Sequence, residues 1–536
     1  MTKLKLLAAI GAALTLCACK VGPNYQRPTL DVPGDYRGVA PEAQQPPPTE
    51  PLPANSNSPA QTQPGTSTPS AQTQTANPPL PAPPPAMENK AGQQPVATPA
   101  QPSQPQAGAQ VQPGAQGAGN SFGDLPWTSV FQDDVLQGLI KEALANNYDL
   151  RVAATRVLQA NANLGIVRAN QFPTINGTGS ATYGKDQVQF QSGDPQGYGT
   201  LGLSLNYVVD FWGQYRRATE SARATLLATK YAQELVQTSL INSVVTNYYL
   251  LLQYDDQLEY SRKTVQADQE IYKLNDIKFK GGDAAITDVY QAQVILQQAE
   301  SGVIQYQQLA EQAENNLSIL LGRNPGPIKR GLNLVNQPVL PDIPEGLPSD
   351  LLRRRPDVRQ AEENLVAANA NVGVAKALFF PQFSITGALG TQSLSLNNFL
   401  NGPSLFWAVG GNVVQPIFQG GRIRSNYRLA WAQRDQAELQ YKQTVQQAFG
   451  EVSNSLVGYL QSRKYREKLQ EQTKTYEELV RLSNVRYLGG YTAFLEVQYN
   501  EQQYFQSALL LSSAWFQELQ YYAALYQALG GGWVVQ

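Results

Sequence analysis

The chain of 536 residues contains no histidine. That removes Ser-His-Asp and Cys-His groupings, His-ligated zinc and His-ligated haem together. Cysteine is almost missing as well. Cys17 and Cys19 are the two present, both near the N-terminus. Neither a disulfide framework nor a thiolate cluster can form from them within the folded body. The two methionines, Met1 and Met87, provide no Met-rich metal relay. No charge of either sign dominates: 40 basic residues stand against 42 acidic ones. A nucleic-acid partner, which calls for a basic surface, is not expected. Composition leaves room for an enzyme using carboxylates, Lys or Ser, such as a cell-wall hydrolase. No pocket-like cluster of such residues supports one. No catalytic residue, metal site or cofactor is expected.

What is present begins with an address. "MTKLKLLAAIGAALTLCAC" has two early lysines, an apolar stretch and then small residues. It reads as a secretory signal, too short for a spanning helix. Lipoprotein processing favours an apolar residue at −3 and a small one at −1. Leu16 and Ala18 meet this for Cys19; Leu16 at −1 does not suit Cys17. The expected mature chain begins at a lipidated Cys19, held at a membrane almost irreversibly by several acyl chains. The next residue is Lys20 rather than Asp, which favours the outer membrane over inner-membrane retention. Proline is also unevenly spread: 23 of the 36 lie before residue 121. The Pro/Gln-rich run across 39–120 cannot bury enough apolar surface to fold, and reads as a disordered tether.

Beyond the tether the chain repeats itself. "ANANLGIVRANQFP" at 160–173 returns as "ANANVGVAKALFFP" at 368–381. At that same offset of 208 residues, Asp149 meets Asp357, Gly213 meets Gly421, and Gly281-Gly282 meets Gly489-Gly490. This is tandem duplication of a unit near 200 residues. In each unit a helix ends at Phe-Pro and two strands follow. "GTLGLSLNYVV" alternates Leu201, Leu203, Leu205, Tyr207 and Val209 with Thr200, Gly202, Ser204 and Asn206. Period-two alternation marks a sheet wet on one face. Its counterpart places Leu405, Trp407, Val409, Val413 and Ile417 on one face. Four strands are expected, at about 174–184, 199–210, 382–391 and 404–417. About ten residues is the length that crosses an outer membrane at a tilt. Trp212, Trp407 and Tyr207 read as interfacial anchors. Ser204, Asn206 and Asn412 read as lumen-lining.

Long helices are expected at about 213–276, 284–321, 421–484 and 492–528. Proline is missing between Pro195 and Pro325 and again after Pro416. Val445, Phe449, Val452, Leu456 and Tyr459 follow coiled-coil spacing. Each first helix stops at a Gly-Gly pair, and Asp283 or Thr492 can cap the next. The layout is a signal peptide over 1–18, an anchor segment over 19–38 and the tether over 39–120. A first repeat then spans 121–328, a linker 329–348, a second repeat 349–530 and a tail 531–536. Four strands cannot close, and an open edge in lipid is forbidden. The chain must therefore assemble with copies of itself. Three copies give twelve strands, enough for a barrel with an open lumen, and twelve long helices below it.

Several stretches resemble the outer-membrane efflux proteins, the TolC-like channels, and within them a lipoprotein subgroup serving tripartite pumps. "CKVGPNYQRP" from Cys19, "LRRRPDVRQAEENL" from Leu352, "VVDFWGQYRR" from Val208, "PIFQGGRIRSN" from Pro416 and "YLGGYTAFLEVQ" from Tyr487 are similar to family motifs. The resemblance covers residues 19–37 and about 122–530, leaving out the tether. It implies a homotrimer with a twelve-stranded membrane β-barrel and a twelve-helix periplasmic barrel. It also implies a periplasmic adaptor and an inner-membrane RND-type transporter as partners, and a passive exit duct for drugs or other small molecules. The tip turns, Gly281, Gly282, Gly489 and Gly490, would then meet those partners. Asp288 and Glu496, at matching places beyond the turns, would form carboxylate rings favouring cations; ordinary solvated helix charge is the other reading. Some relatives carry an aspartate just after the second turn. Here that stretch is Gly490-Tyr491-Thr492-Ala493, so Asp283 in the first turn is the substitute candidate. Arg353, Arg354, Arg355, Pro356 and Asp357 read as a helix start, with Pro in its first turn and Asp at its positive end. Competing readings are a type I protein-secretion duct and a coiled-coil outer-membrane lipoprotein without a pore. Copper or silver export is a possible subclass.

Overall fold

The computed structural model describes residues 20–30, 122–184, 196–338, 351–393 and 404–532. The signal peptide, Cys19 and the tether lie outside the described residues.

Helix α1, Asp134–Asn146, starts because Asp133 accepts hydrogen bonds from the Val135 and Leu136 amides. Helix α2, Tyr148–Ala169, follows, with the Asn147 side chain accepting from the Leu150 amide. It stops short of Phe172-Pro173, where proline disfavours helical geometry in the residue before it. Strands β1, Thr174–Gly184, and β2, Gln196–Val209, come next. Two long helices complete the unit: α3, Gln214–Gly281, and α4, Ile286–Leu320. The second unit has α5, Pro356–Ala377, then β3, Gln382–Ser393, and β4, Leu405–Val414. It ends with α6, Arg422–Leu488, and α7, Phe494–Ala528. Helices α2, α3 and α4 each begin 208 residues before α5, α6 and α7. With 68 residues, α3 alone is about 100 Å long at about 1.5 Å per residue.

Some boundaries differ from the sequence expectation. Both long helices run on to the glycine pairs, to 281 and 488 rather than 276 and 484. Nothing in "DIKFK" or "VRYL" breaks a helix, so the chain winds until glycine lets it turn. Only the second glycine of each pair is left-handed, with φ of 85° at Gly282 and 76° at Gly490. The return helices start at 286 and 494, not 284 and 492. Their N-cap positions are Ala285 and Ala493, so Asp283 and Thr492 do not cap them. Strand β2 starts at 196 and β3 extends to 393. Strand β4 stops at Val414, short of 417, because Pro416 has no amide hydrogen for a ladder. Gly531 and Gly532, the first two residues of the expected tail, are buried, and residues 533–536 lie outside the described residues.

The four strands form one antiparallel sheet in the order β1-β2-β3-β4. Ile175 faces Leu205 in the first hairpin, and Phe383 faces Val413 in the second. The two registers are identical once shifted by 208. The β2–β3 ladder joins the two repeats, and a glycine pair lies within it. Gly202 faces Gly390, and a Cβ on Gly390 would stand 2.5 Å from the Leu201 carbonyl oxygen. The main core lies partway down the long helices. Leu136 and Ile140 of α1 pack there with Ile241, Val244, Tyr248 and Leu251 of α3, Leu317 of α4, Val452 and Leu456 of α6, and Tyr522 of α7.

Candidate functional site

The sheet sorts most of its side chains by face, with Val208, Phe406 and Val414 on the mainly polar side and Thr391 and Ser393 on the mainly apolar one. Ladder pairs share a face, so Ile175, Leu201, Leu203, Leu205, Tyr207, Ile385, Leu389, Leu405, Trp407, Val409 and Val413 all point one way. They are open in the single chain; Trp407 and Val409 are each 75% exposed. The other face carries Thr174, Asn176, Thr178, Ser180, Ser204, Asn206, Ser384, Thr386 and Asn412. Ser204, Asn206 and Asn412 therefore sit together on the polar face. Neither face of the described strands holds Asp, Glu, Lys or Arg. Strand β1 has one free edge and β4 has the other.

The handover from strand to helix is a packed joint. Trp212 leaves the sheet, stacks on Phe380 at 4.6 Å and donates through Nε1 to the Pro381 carbonyl at 2.8 Å. Residues 20–30 lie along this joint. The Val21 amide donates to the Trp212 carbonyl at 3.1 Å, and Lys20 pairs with Glu220 at 3.2 Å. The buried Arg217 donates to Asn24 Oδ1 at 2.8 Å, and Arg27 forms a two-pronged pair with Glu362. Arg355 begins α5 and binds Asp357, Glu451 and the Ala528 carbonyl. It knots three helices together and is satisfied as a structural group.

The helix tips form the second candidate region. Asp283 is exposed and Asp288 half-buried, and neither forms an ion pair among the described residues. Glu496 is not free: it pairs with Arg486 at 3.0 Å and accepts from the Thr492 hydroxyl. Sequence reading missed the link between the two tips. Tyr487 of α6 donates to Asn275 Oδ1 of α3 at 2.9 Å, and Lys278 Nζ stands 3.9 Å from the Tyr487 ring centre. Nothing local in the sequence pairs two residues 212 positions apart. Above the tips, buried polar residues replace the apolar belt. Ser261, Asp268 and Asn275 of α3 recur every seven residues, each at most 3% exposed. That spacing was visible in the sequence as a polar interruption of the coiled-coil seam.

A sheet with one mainly apolar face and one mainly polar, uncharged face, carried on helices about 100 Å long, fits an outer-membrane channel of the TolC-like kind. Residues 139–323 and 347–531 match the outer membrane efflux protein family. The two matched segments are themselves 208 residues apart. The toluene efflux pump outer membrane protein TtgC of Pseudomonas putida is 33% identical over 430 residues, covering 78% of this chain and 88% of TtgC. The cation efflux system protein CusC of Escherichia coli O6:H1 is 31% identical over 438 residues, covering 80% of this chain and 93% of CusC. The solved outer-membrane channel OprN superimposes with a TM-score of 0.73 at 30% identity, covering 77% of this chain and 94% of OprN. The chain belongs to the outer membrane efflux protein family. It is the outer-membrane channel component of a tripartite efflux system, spanning the outer membrane and extending into the periplasm. Such proteins work with an adaptor and an inner-membrane transporter, and the family is one of transport channels.

Proposed function

We propose that three copies of this chain close a twelve-stranded barrel and form a passive exit duct for small molecules. The duct is driven by an RND-type transporter through a periplasmic adaptor. The observation behind this is the pair of unmatched edges. Strands β1 and β4 expose ladder groups beside an apolar face, which lipid does not tolerate. The β2–β3 ladder already joins the two repeats, so the same ladder shifted by 208 residues joins β4 to β1 of the next copy. Leu203 faces Leu389 within the chain; the equivalent pair between copies is Gly411 with Ala181.

An uncharged polar face supports weak selection by size and polarity. The relatives are named for efflux of toluene and of cations, which favours small molecules over secreted proteins as cargo. Ser204, Asn206 and Asn412 line the duct in this reading. The tip turns at Gly281, Gly282, Gly489 and Gly490 face the adaptor and transporter. Asp288, with Asp283 beside it, takes the role of the narrowing charge, and Glu496 holds tip shape through Arg486. Cys19 carries the lipid. Its neighbour Lys20 packs on the strand-to-helix joint, the level at which an anchor meets the membrane.

The test is a cysteine pair, Ala181→Cys with Gly411→Cys, in full-length protein in outer membranes. Oxidation should yield a covalent trimer on a non-reducing gel. Tyr183→Cys with Gly411→Cys, two residues out of register, should link poorly. Crosslinks that stop at a single chain, together with silent planar bilayers, would replace the duct with a non-channel coiled-coil lipoprotein.

A further inference from the structure

A cavity of about 600 Å³ opens between α3, α4 and α7. Its wall includes Asp268 from α3, Val294 and Tyr306 from α4, and Gln498, Glu501 and Phe505 from α7. No Lys or Arg lines it. Asp268 is 3% exposed, yet its Oδ2 has no hydrogen-bond partner. Gln498 is half-buried, but its Oε1 atom is buried and has no hydrogen-bond partner either. Glu501 accepts one long hydrogen bond, from Asn484 Nδ2 at 3.3 Å. Donor-bearing Thr264, Gln298, Ser301, Gln305, Tyr306 and Gln502 also line the wall, yet none of them supplies a hydrogen bond to Asp268 Oδ2 or Gln498 Oε1.

The two carboxyls register that deficit. Burial pushes Asp268 up to about 6. Burial also pushes Glu501 up to about 7, opposed by the Asn484 hydrogen bond and reinforced by the charge of Asp268. A buried carboxylate without a partner is costly, and a bound cation would relieve both.

The size of the space selects among cations. A hard dication is held by about six or more oxygen ligands drawn in to bonding distance. The cavity is far larger than an ion. Spaces of about 300–1,000 Å³ with apolar walls and a few placed polar groups suit small organic ligands. Val294 and Phe505 supply apolar wall here.

We propose that this cavity binds an amphiphilic organic cation, its charge held between Asp268 and Glu501 and its apolar body against Val294 and Phe505. The proposal goes beyond the duct reading. It concerns a site in the helical wall, and binding there can be measured whether or not the chain conducts. Neither residue belongs to the tip charges already described.

The experiment titrates full-length detergent-extracted protein with ethidium at pH 8, where both carboxyls are ionised, and follows fluorescence anisotropy. Ethidium is permanently charged, so its own protonation does not enter. One saturable site per chain is expected. Asp268→Asn with Glu501→Gln should weaken it about ten- to a hundred-fold, the scale of losing charged contacts. Val294→Trp fills the rim while keeping both carboxylates, and should weaken it too. Asp288→Asn at the tip should leave it unchanged. Wild-type-like binding in both cavity variants, or no saturable binding by the parent protein, would overturn the proposal. Displacement of ethidium by millimolar Mg²⁺ at constant ionic strength would overturn it as well, in favour of a metal site.

Discussion

Asp133 and Asp268 are both almost fully buried, at 2% and 3% exposure, and meet opposite fates. Asp133 accepts from the Val135, Leu136 and Leu332 amides, the Tyr248 hydroxyl and the Gln337 amide. Burial alone would raise its pKa; the donors outweigh burial and hold it below the ordinary carboxylate value. Its stabilisation is therefore present above that value and disappears as pH falls through the lowered one. Asp133→Ala leaves five donors unmatched at the centre of the main core, and should cost about 3 kcal/mol. Thermal melting at pH 7 measures this. Asp268 runs the other way. Its folded pKa is raised from 3.8 to about 6, so its contribution is favourable below about pH 4 and is lost as pH rises through about 6. Asp268→Asn should raise the melting temperature at pH 8, with a gain on the order of 2 kcal/mol, and leave it nearly unchanged at pH 4. An equal shift at both pH values would refute the assignment of an unpartnered carboxylate there.

Within each long helix the seam changes character along its length. Ile241, Val244, Tyr248 and Leu251 form an apolar belt, whereas Ser261, Asp268 and Asn275 carry the seam toward the tip. Polar residues at such positions lower stability and set register. The tip half is held by a small apolar cluster of Ala292, Phe494 and Val497, joined by the Tyr487 bond to Asn275 and by Lys278 over the Tyr487 ring. Tyr487→Phe keeps the ring and removes the hydroxyl bond. It should raise single-channel conductance or open time in planar bilayers without changing the melting temperature by more than a few degrees. Asn275→Ala should mimic it, and a channel indifferent to both would show that this link does not hold the tips. Much of this level was legible beforehand. Periodicity located the strands and helices because burial on one face imposes it, and the glycine pairs marked the turns because φ there is positive. The cavity and the tip link were not legible. Both depend on which long helices lie side by side, and Asp268 and Glu501 are 233 positions apart. Capping by Asp283 and Thr492 was misread because turn residues were assigned without knowing how far each helix winds.

At the scale of the whole molecule, the duplication exposes what a single copy lacks. Helices α2 and α5 are counterparts of equal length, 22 residues each. Helix α5 lies between α3 and α6 and buries ten residues, whereas α2 packs chiefly on α3 and buries only Ala153. Leu158 and Ile166 of α2 are left 69% and 68% exposed. The glycines tell the same story. A Cβ on Gly373 of α5 would meet Arg217 Cγ at 2.9 Å, but a Cβ on its counterpart Gly165 meets nothing within 4 Å. In the trimer proposed above, α6 of a neighbouring copy stands against α2, in the place that α3 takes against α5. Leu158→Glu and Gly165→Leu should therefore spare the fold of each chain and break the assembly. Leu158→Glu buries an unpaired charge only in the oligomer, and Gly165→Leu adds bulk only where a neighbour closes in. Circular dichroism should show helix content unchanged in both variants. Light scattering after gel filtration should show three chains in the parent and one in Leu158→Glu. If Leu158→Glu instead stays trimeric with full conductance, the apolar face of α2 looks onto lipid or solvent, and the copies are joined by the strands alone.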